Sequence, residues 1–506
     1  MPLIINNIKT PVGTGKNEII ARALKQTHIR QSDIVSADIH KSSIDARDNK
    51  NILLVSSVYL TLSSEQAEQA IAEKDKNASY AVKGRLEPEI GTVHKNGRVV
   101  IVGFGPAGMF AGLILARYGY KPLILERGAK MEKRIYAVNS YINGGELDVN
   151  TNIQFGEGGA GTFSDGKLTC RTKDELCALV TKELVSFGAP EEILHKAKPH
   201  IGTDKLREVV KNIRLEIERL GGEVRFETAL TDISPSADGI NAKLSDESEI
   251  LCSALILAIG HSARDTFEML TKKNVFLEPK PFSVGVRIEH LQSDVDRSLY
   301  GKHAGDPMLP KGEYQLSYRN KEGRGVYTFC MCPGGYVVNS SSEEGRLVVN
   351  GMSYSGRNGD NSNSAIVVSV GRDEYDMDDP LSGIEYQRLL EEKAYKLGGG
   401  KIPQQLFGDF KAKVLGKECL PHETGFSSMN KGGAVFSELN GLFSDEINHS
   451  FLEGMAEFDK KLNGFACDDA ILSGVESRTS SPVRIPRDES FSSPIRGLYP
   501  CGEEIG

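Results

Sequence analysis

The 506-residue chain has no tryptophan and no run approaching the roughly 18 apolar residues of a membrane span, which excludes a spanning helix from its reading. Its first residues, Met1-Pro2-Leu3-Ile4-Ile5, lack the basic start and long apolar core of a signal peptide. Its eight cysteines show no regular spacing of a disulfide framework. These absences predict a cytoplasmic protein in a reducing setting. Positive charge is not in excess either. The formal net charge is −8, which speaks against a broad nucleic-acid footprint. No nucleic acid or membrane is expected as a partner. Glycine is abundant, with 53 residues, as suits a protein whose backbone repeatedly approaches a ligand.

The clearest positive signal is one segment. Val99-Val100-Ile101-Val102 reads as a strand buried on both faces. It runs into Gly103-Phe104-Gly105-Pro106-Ala107-Gly108. Gly103 permits the tight turn, Gly105 lets backbone approach a diphosphate, and Gly108 lets the following helix pack against the sheet. That helix would offer its free N–H groups and positive dipole end to the phosphates. Ala107, Ala111 and Gly112 keep one helix face small. Glu126 closes the next apolar run, Leu123-Ile124-Leu125, and lies 23 positions after Gly103. That is close to the spacing of about 20 expected for the carboxylate that meets ribose hydroxyls. The combination predicts an adenine dinucleotide, and so a redox cofactor.

Length predicts roughly three or four domains. Residues 1–95 read as a small α+β domain of ferredoxin-like type: a strand at Leu3-Ile4-Ile5, a helix from Glu18 to Gln26, an extended pair at Ile34 to Arg47 and Asn51 to Leu62, and a polar helix from Ser64 to Lys74. The charged segment Lys41 to Arg47 reads as a solvated strand or a domain interface. Gly91 to Gly97 reads as a linker. The first part of a dinucleotide-binding domain is expected over 98–276, with strands at Val224 to Phe226 and Leu251 to Gly260. Thr203 or Asp204 is expected to cap a helix that runs to about Arg219. An inserted antiparallel domain is expected over 277–455, with strands at Phe282 to His290, Glu313 to Tyr318, Val326 to Cys332 and Leu347 to Tyr354, and a helix from Ile384 to Leu397. Residues 456–506 would complete the dinucleotide domain. The glycine-dense run Phe155 to Lys167 is expected to meet the cofactor's ribityl chain and ring.

Several segments together carry a family resemblance: Gly103 to Gly108, Phe155 to Leu168, Pro199 to Asp204, Ala258 to Asp265, Phe329 to Gly335 and Glu476 to Arg484. The chain resembles the bacterial FAD-dependent dehydrogenases, or NAD(P)/FAD-dependent oxidoreductases, of the glutathione-reductase-like FAD superfamily. The resemblance implies an α/β fold with a Rossmann-type FAD-binding domain and bound FAD. It places the cofactor on Gly103, Gly105, Pro106, Ala107, Gly108, Glu126, Arg127, Gly158, Gly159, Gly161, Thr162, Lys167, Ala258, Gly260, Gly502 and Glu503. It also implies a further glycine-rich turn and a last helix beyond Gly506, so the sequence reads as shortened at that end.

One dinucleotide fingerprint is visible, and the helix after it has no cysteine. Both features disfavour a disulfide reductase. NADH or NADPH would have to dock transiently. Candidate catalytic residues are Cys330, Cys332 and His261. The two cysteines, one residue apart, make neither an easy disulfide nor a metal site, and they also suit a plain buried strand. Gly334-Gly335 is the favoured cofactor contact in that segment. Arg264 and Arg478 are candidates to hold an anionic substrate or a cofactor phosphate, and His200 reads as structural. The expected activity is a dehydrogenase or reductase acting on a small molecule. A flavin monooxygenase and a non-catalytic flavin-holding sensor are the alternatives.

Overall fold

The computed structural model describes residues 2–80, 87, 91, 97–168, 174, 176–418 and 424–505. Most of the linker expected at 91–97 lies outside them. The chain is mixed α/β with several sheets and divides into two compact units. Among the described residues no helix is long and apolar enough to cross a membrane.

The first unit comprises Met1–Thr92, Lys167–Ile201 and Ser293–Gly312. Its sheet has the order Ile34–Asp45, Leu53–Leu62, Leu3–Pro11, Ala78–Tyr80, with every neighbouring pair antiparallel. Helices Lys16–Thr27 and Glu65–Lys74 interrupt the strands in the βαββαβ order of a ferredoxin-like sheet. Alternation explains the pairing. Val58, Leu60 and Leu62 face the core with Leu3 and Ile5, and Ile19, Ala23 and Leu24 of the first helix close over them. Ser64 caps the second helix by accepting the Ala67 amide. The charged segment after Lys41 is tied down within this unit: the Ser42 amide donates to the His195 carbonyl at 2.8 Å, and the Ala197 amide to the Ser42 carbonyl at 2.9 Å.

The second unit comprises Val93–Gly166, Gly202–Gln292 and Glu313–Gly506. Its parallel sheet runs Leu498–Pro500, Ala254–Leu257, Val99–Val102, Leu123–Leu125, Glu223–Arg225. All four residues of Val99–Val102 are buried, as the uninterrupted apolar run requires. Helix Pro106–Arg117 lies close to the sheet because Gly112 has no side chain; a Cβ there would stand 2.5 Å from Ile124. The chain leaves Val99–Val102 toward Leu123–Leu125 on one side and later returns to its other side at Ala254–Leu257. Such a reversal opens a crevice beyond the strands' carboxyl ends.

A second sheet of seven strands contains Phe282–Leu291, Gly325–Cys332, Asn361–Val370 and Ile471–Glu476. The last of these lies beyond the expected boundary at 455, so the antiparallel layer draws on the chain's final segment. The strand expected from Glu313 is confined to Ser317–Arg319. Before it, the Leu316 amide donates to the Thr328 hydroxyl, while the Leu316 carbonyl accepts the Thr328 amide. Three short antiparallel strands, Leu230–Ser236, Gly239–Leu244 and Glu249–Cys252, fill a stretch in which only the last residues were expected to be extended.

Candidate functional site

The crevice is organised by Glu126. This residue is 4% exposed at the end of Leu123–Leu125. Its Oε2 accepts the Phe104 amide at 2.8 Å, and its Oε1 accepts the amides of Gly128 at 2.9 Å and Gly156 at 3.0 Å. One carboxylate therefore ties together the glycine turn, the strand exit and the glycine-dense loop. A carboxylate has about four acceptor positions, so roughly one is left for a ligand hydroxyl.

The glycines of the turn have separate causes. Gly103 has φ +99°, and a Cβ there would meet the Ala258 carbonyl oxygen at 2.2 Å. A Cβ on Gly108 would meet the Gly103 carbonyl oxygen at 2.0 Å. Both are demanded by the protein's own packing. Gly105 is different: the nearest atom to its Cβ would be Gly159 Cα at 3.8 Å, an ordinary contact. The protein leaves this position open. Gly105 is also the N-cap of Pro106–Arg117, which has no side-chain cap and no acid in its first turn. The first-turn amides, Ala107 and Gly108 among them, therefore have no intrahelical partner. An open cradle at an uncapped helix start fits a diphosphate.

The loop facing it is rigidly held. The fully buried Arg134 guanidinium donates to the carbonyls of Asn152, Ile153, Glu157 and Gly159 at 2.7–3.0 Å. The buried Glu157 carboxylate accepts Arg214 Nε at 2.7 Å and the Met131 amide at 2.6 Å. Gly158 donates its amide to the Phe104 carbonyl, and Gly159, at φ +66°, passes against Gly105. A Cβ on Gly161 would meet nothing within 4 Å. The Thr162 hydroxyl oxygen is buried without a hydrogen-bond partner.

Beside the turn is a narrow cleft of about 30 Å³, lined by Gly103, Glu126, Arg127, Phe155, Ile259 and Thr266 among others. Arg127 forms one wall. Its guanidinium stacks 4.5 Å from the Phe155 ring centroid and pairs with Asp265 at 2.9 Å. Across the crevice the Ala258 amide donates to the Val102 carbonyl. Gly260, at φ +68°, has open space where a Cβ would be. His261 Nδ1 lies 2.6 Å from Glu503 Oε2, next to Gly502, while its Nε2 is buried without a partner. Burial alone raises the Glu503 carboxyl, but His261 and Lys280 outweigh it and hold the group below its usual range.

Other expected site residues are placed differently. Lys167 belongs to the first unit, in a β-bridge with His200. Arg264 and Arg478 are no anion site. Arg264 donates to both oxygens of Glu391 at 2.9 and 2.7 Å, and Arg478 does the same at 2.9 and 2.8 Å. Their charge is satisfied inside the fold. The Gly334-Gly335 turn is packed by backbone: a Cβ would stand 1.9 Å from the Arg357 carbonyl oxygen at the first and 2.6 Å from that of Met352 at the second. Cys332 is fully buried, with Sγ 3.9 Å from Arg287, and Cys330 sits in a bulge at φ +44°. The helix at Thr203–Arg219 is not capped by Thr203 or Asp204. Gly202 holds the cap position, where a Cβ would meet the Ser355 amide nitrogen at 2.3 Å. Thr203 donates instead to the Thr162 carbonyl.

Arg134, Glu157 and Arg214 were not singled out from the sequence. The signal was present: Arg134 falls with Met131 and Val138 on the buried face of one helix, and Arg214 with Val210 and Ile217 on another. A charge on an apolar face marks an internal partner.

Residues 281–479 match the family described as FAD-dependent protein, C-terminal domain-like, and residues 1–61 match a domain of unknown function. An uncharacterized protein of Clostridium beijerinckii is 46% identical over 514 residues, covering 100% of this chain and 95% of that protein. Among solved structures, the flavin-dependent halogenase CmlS aligns at 16% identity and a TM-score of 0.34, over 81% of this chain and 54% of that one. CtdE in complex with FAD aligns at 12% identity and a TM-score of 0.30, over 81% and 78%. The chain spans about half the length of the halogenase. Likeness at these TM-scores carries no weight for function.

Proposed function

We propose that the chain, whose residues 281–479 match a family of FAD-dependent proteins, is an FAD-dependent oxidoreductase acting on a small molecule in a reducing, cytoplasmic setting. The observation that carries this reading is the open cradle at Gly105, set between an uncapped helix start and the Glu126 carboxylate. The parallel strand order supports a Rossmann-type arrangement of the glutathione-reductase-like kind. In this reading the amides of Gly105, Ala107 and Gly108 hold the diphosphate beside Pro106, and Glu126 gives its remaining acceptor position to a ribose hydroxyl. Arg127 packs along the adenosine. Gly158, Gly159, Gly161 and Thr162 border the ribityl chain on one side, and Ala258, Gly260, Gly502 and Glu503 on the other.

FAD, when bound, supplies hydride acceptance and one- or two-electron transfer. The protein supplies orientation and a proton route. Glu503 fixes the His261 ring through Nδ1, which leaves Nε2 to take or give a proton. Cys330 and Cys332 have no part in this scheme, because strand and bulge geometry account for them. Any nicotinamide docks transiently.

The test is direct. The purified protein should be yellow and release FAD on denaturation. Under anaerobic conditions NADH, NADPH or a candidate metabolite should bleach it rapidly. A reducible flavin with no turnover under any donor would favour a sensor. Oxygen uptake with peroxide release would favour a monooxygenase.

A further inference from the structure

Two cations of the second unit, Lys431 and Arg207, form no salt bridge among the described residues; Lys431 faces Tyr354, and the helix that carries Arg207 is tied to the next residue, Ser355, through Asp204. Lys431 Nζ lies 4.5 Å from the Tyr336 ring centroid and 5.6 Å from that of Tyr354. The two rings meet edge to face, with centroids 5.9 Å apart and planes at 76°. The Arg207 guanidinium stands 4.3 Å over the Phe163 ring, and its Nε is buried without a hydrogen-bond partner. Burial pulls Arg207 below its ordinary pKa, against the opposing pull of Tyr354 and Asp204. Asp204 is one turn earlier on the same helix, and its carboxylate is engaged by the Ser355 amide and hydroxyl, both at 2.7 Å.

The place of this cluster matters. Phe163 lies in the glycine-dense loop that passes against Gly105. It shares a core with Met352 and Val338, on which Tyr336 packs. The basic and aromatic side chains therefore lie one residue layer from the loop assigned above to the cofactor. Tyr354 is 39% exposed, so the cluster is reachable from solvent.

A half-buried guanidinium with an unmatched fork suits a carboxylate or phosphate. Tyrosine rings at a corner suit the face and edge of a planar ring. We propose that Arg207 and Lys431 form a substrate subsite for an aromatic anion, with its charged group between the two cations and its ring against Tyr336 and Tyr354. The assignment of the ligand as substrate rests on the flavin reading; the anion site itself does not.

Calorimetric titration of the FAD-loaded protein tests this. The probes are benzoate, indole-3-carboxylate and phenyl phosphate, each with an uncharged amide or alcohol counterpart, and inorganic phosphate alone. At least one aromatic anion should bind tenfold or more tightly than its neutral counterpart and than inorganic phosphate. Arg207→Met and Lys431→Met should each weaken it tenfold or more, with FAD content and melting temperature unchanged. Arg207→Lys should recover part of the loss. Tyr354→Leu should narrow the gap between the aromatic anion and inorganic phosphate. No preference for anions, unaltered affinity in both charge variants, or loss of FAD along with the anion would overturn the proposal. Anion binding in a protein that takes up no FAD would instead sink the flavin reading and leave the anion site standing.

Discussion

The Phe104 amide donates to Glu126 Oε2 at 2.8 Å, so the residue that follows the first glycine of the turn is held by the carboxylate that ends the next strand. With Gly128 and Gly156 also bound, Glu126 is a structural hub as well as a ligand candidate. A buried amide left unsatisfied costs about 1–3 kcal/mol. Glu126→Ala should therefore lower stability by several kcal/mol and abolish FAD retention. Glu126→Gln keeps the shape but turns one acceptor into a donor. It should lower FAD affinity tenfold or more with a smaller loss of stability. Urea unfolding midpoints and flavin retained after ultrafiltration measure the two effects. A Glu126→Ala protein as stable and as yellow as the parent would contradict this role.

Glu391 stands between two buried guanidiniums, Arg264 and Arg478. Burial alone raises its carboxyl, but the two arginines outweigh it and hold the group below its usual range. A depressed acid contributes stability that is present above its unfolded pKa and lost as pH falls through the folded one. Stability should accordingly fall on acidification below about pH 4.5. Glu391→Gln should cost about 3–5 kcal/mol near neutral pH, because it strands buried charge. Chemical denaturation of both proteins across acid pH checks this; equal midpoints at neutral pH would refute it.

Glu476 behaves in the opposite sense. Burial pushes its carboxyl up to about 7 even with Arg287 Nη1 3.0 Å away. Between its ordinary value of 4.5 and about 7, the folded protein holds a proton that the unfolded chain has lost. Stability should then decline as pH rises through that window and level off above it, by up to about 3 kcal/mol. Glu476→Gln should flatten this stretch of the profile. An unchanged slope in the variant would place the titration elsewhere.

The parts of the fold that were legible share a cause. Val99–Val102, Ala254–Leu257 and helix Thr203–Arg219 follow directly from runs and periods of apolar residues. The ferredoxin-like order at the front follows from alternation along Leu53–Leu62 and from Ser64 as a cap. Arg264 and Arg478 were misread for a common reason. An arginine next to a suggestive motif looks like ligand chemistry, but its partner is far away in the chain. Glu391 is more than 80 residues from either arginine it neutralises. Gly103, Gly105 and Gly108 read alike in the sequence, and only coordinates separate the two needed for packing from the one left open.

That separation supplies the most direct measurement. FAD content per chain and thermal melting should be compared for the parent, Gly105→Val and Gly103→Ala. With only Gly159 Cα at 3.8 Å from its Cβ, Gly105→Val should fold with a melting temperature close to that of the flavin-stripped parent and hold no FAD. Gly103→Ala, with a Cβ 2.2 Å from a carbonyl oxygen, should be destabilised whether or not flavin is supplied. A Gly105→Val protein that purifies with a full complement of FAD would contradict the account.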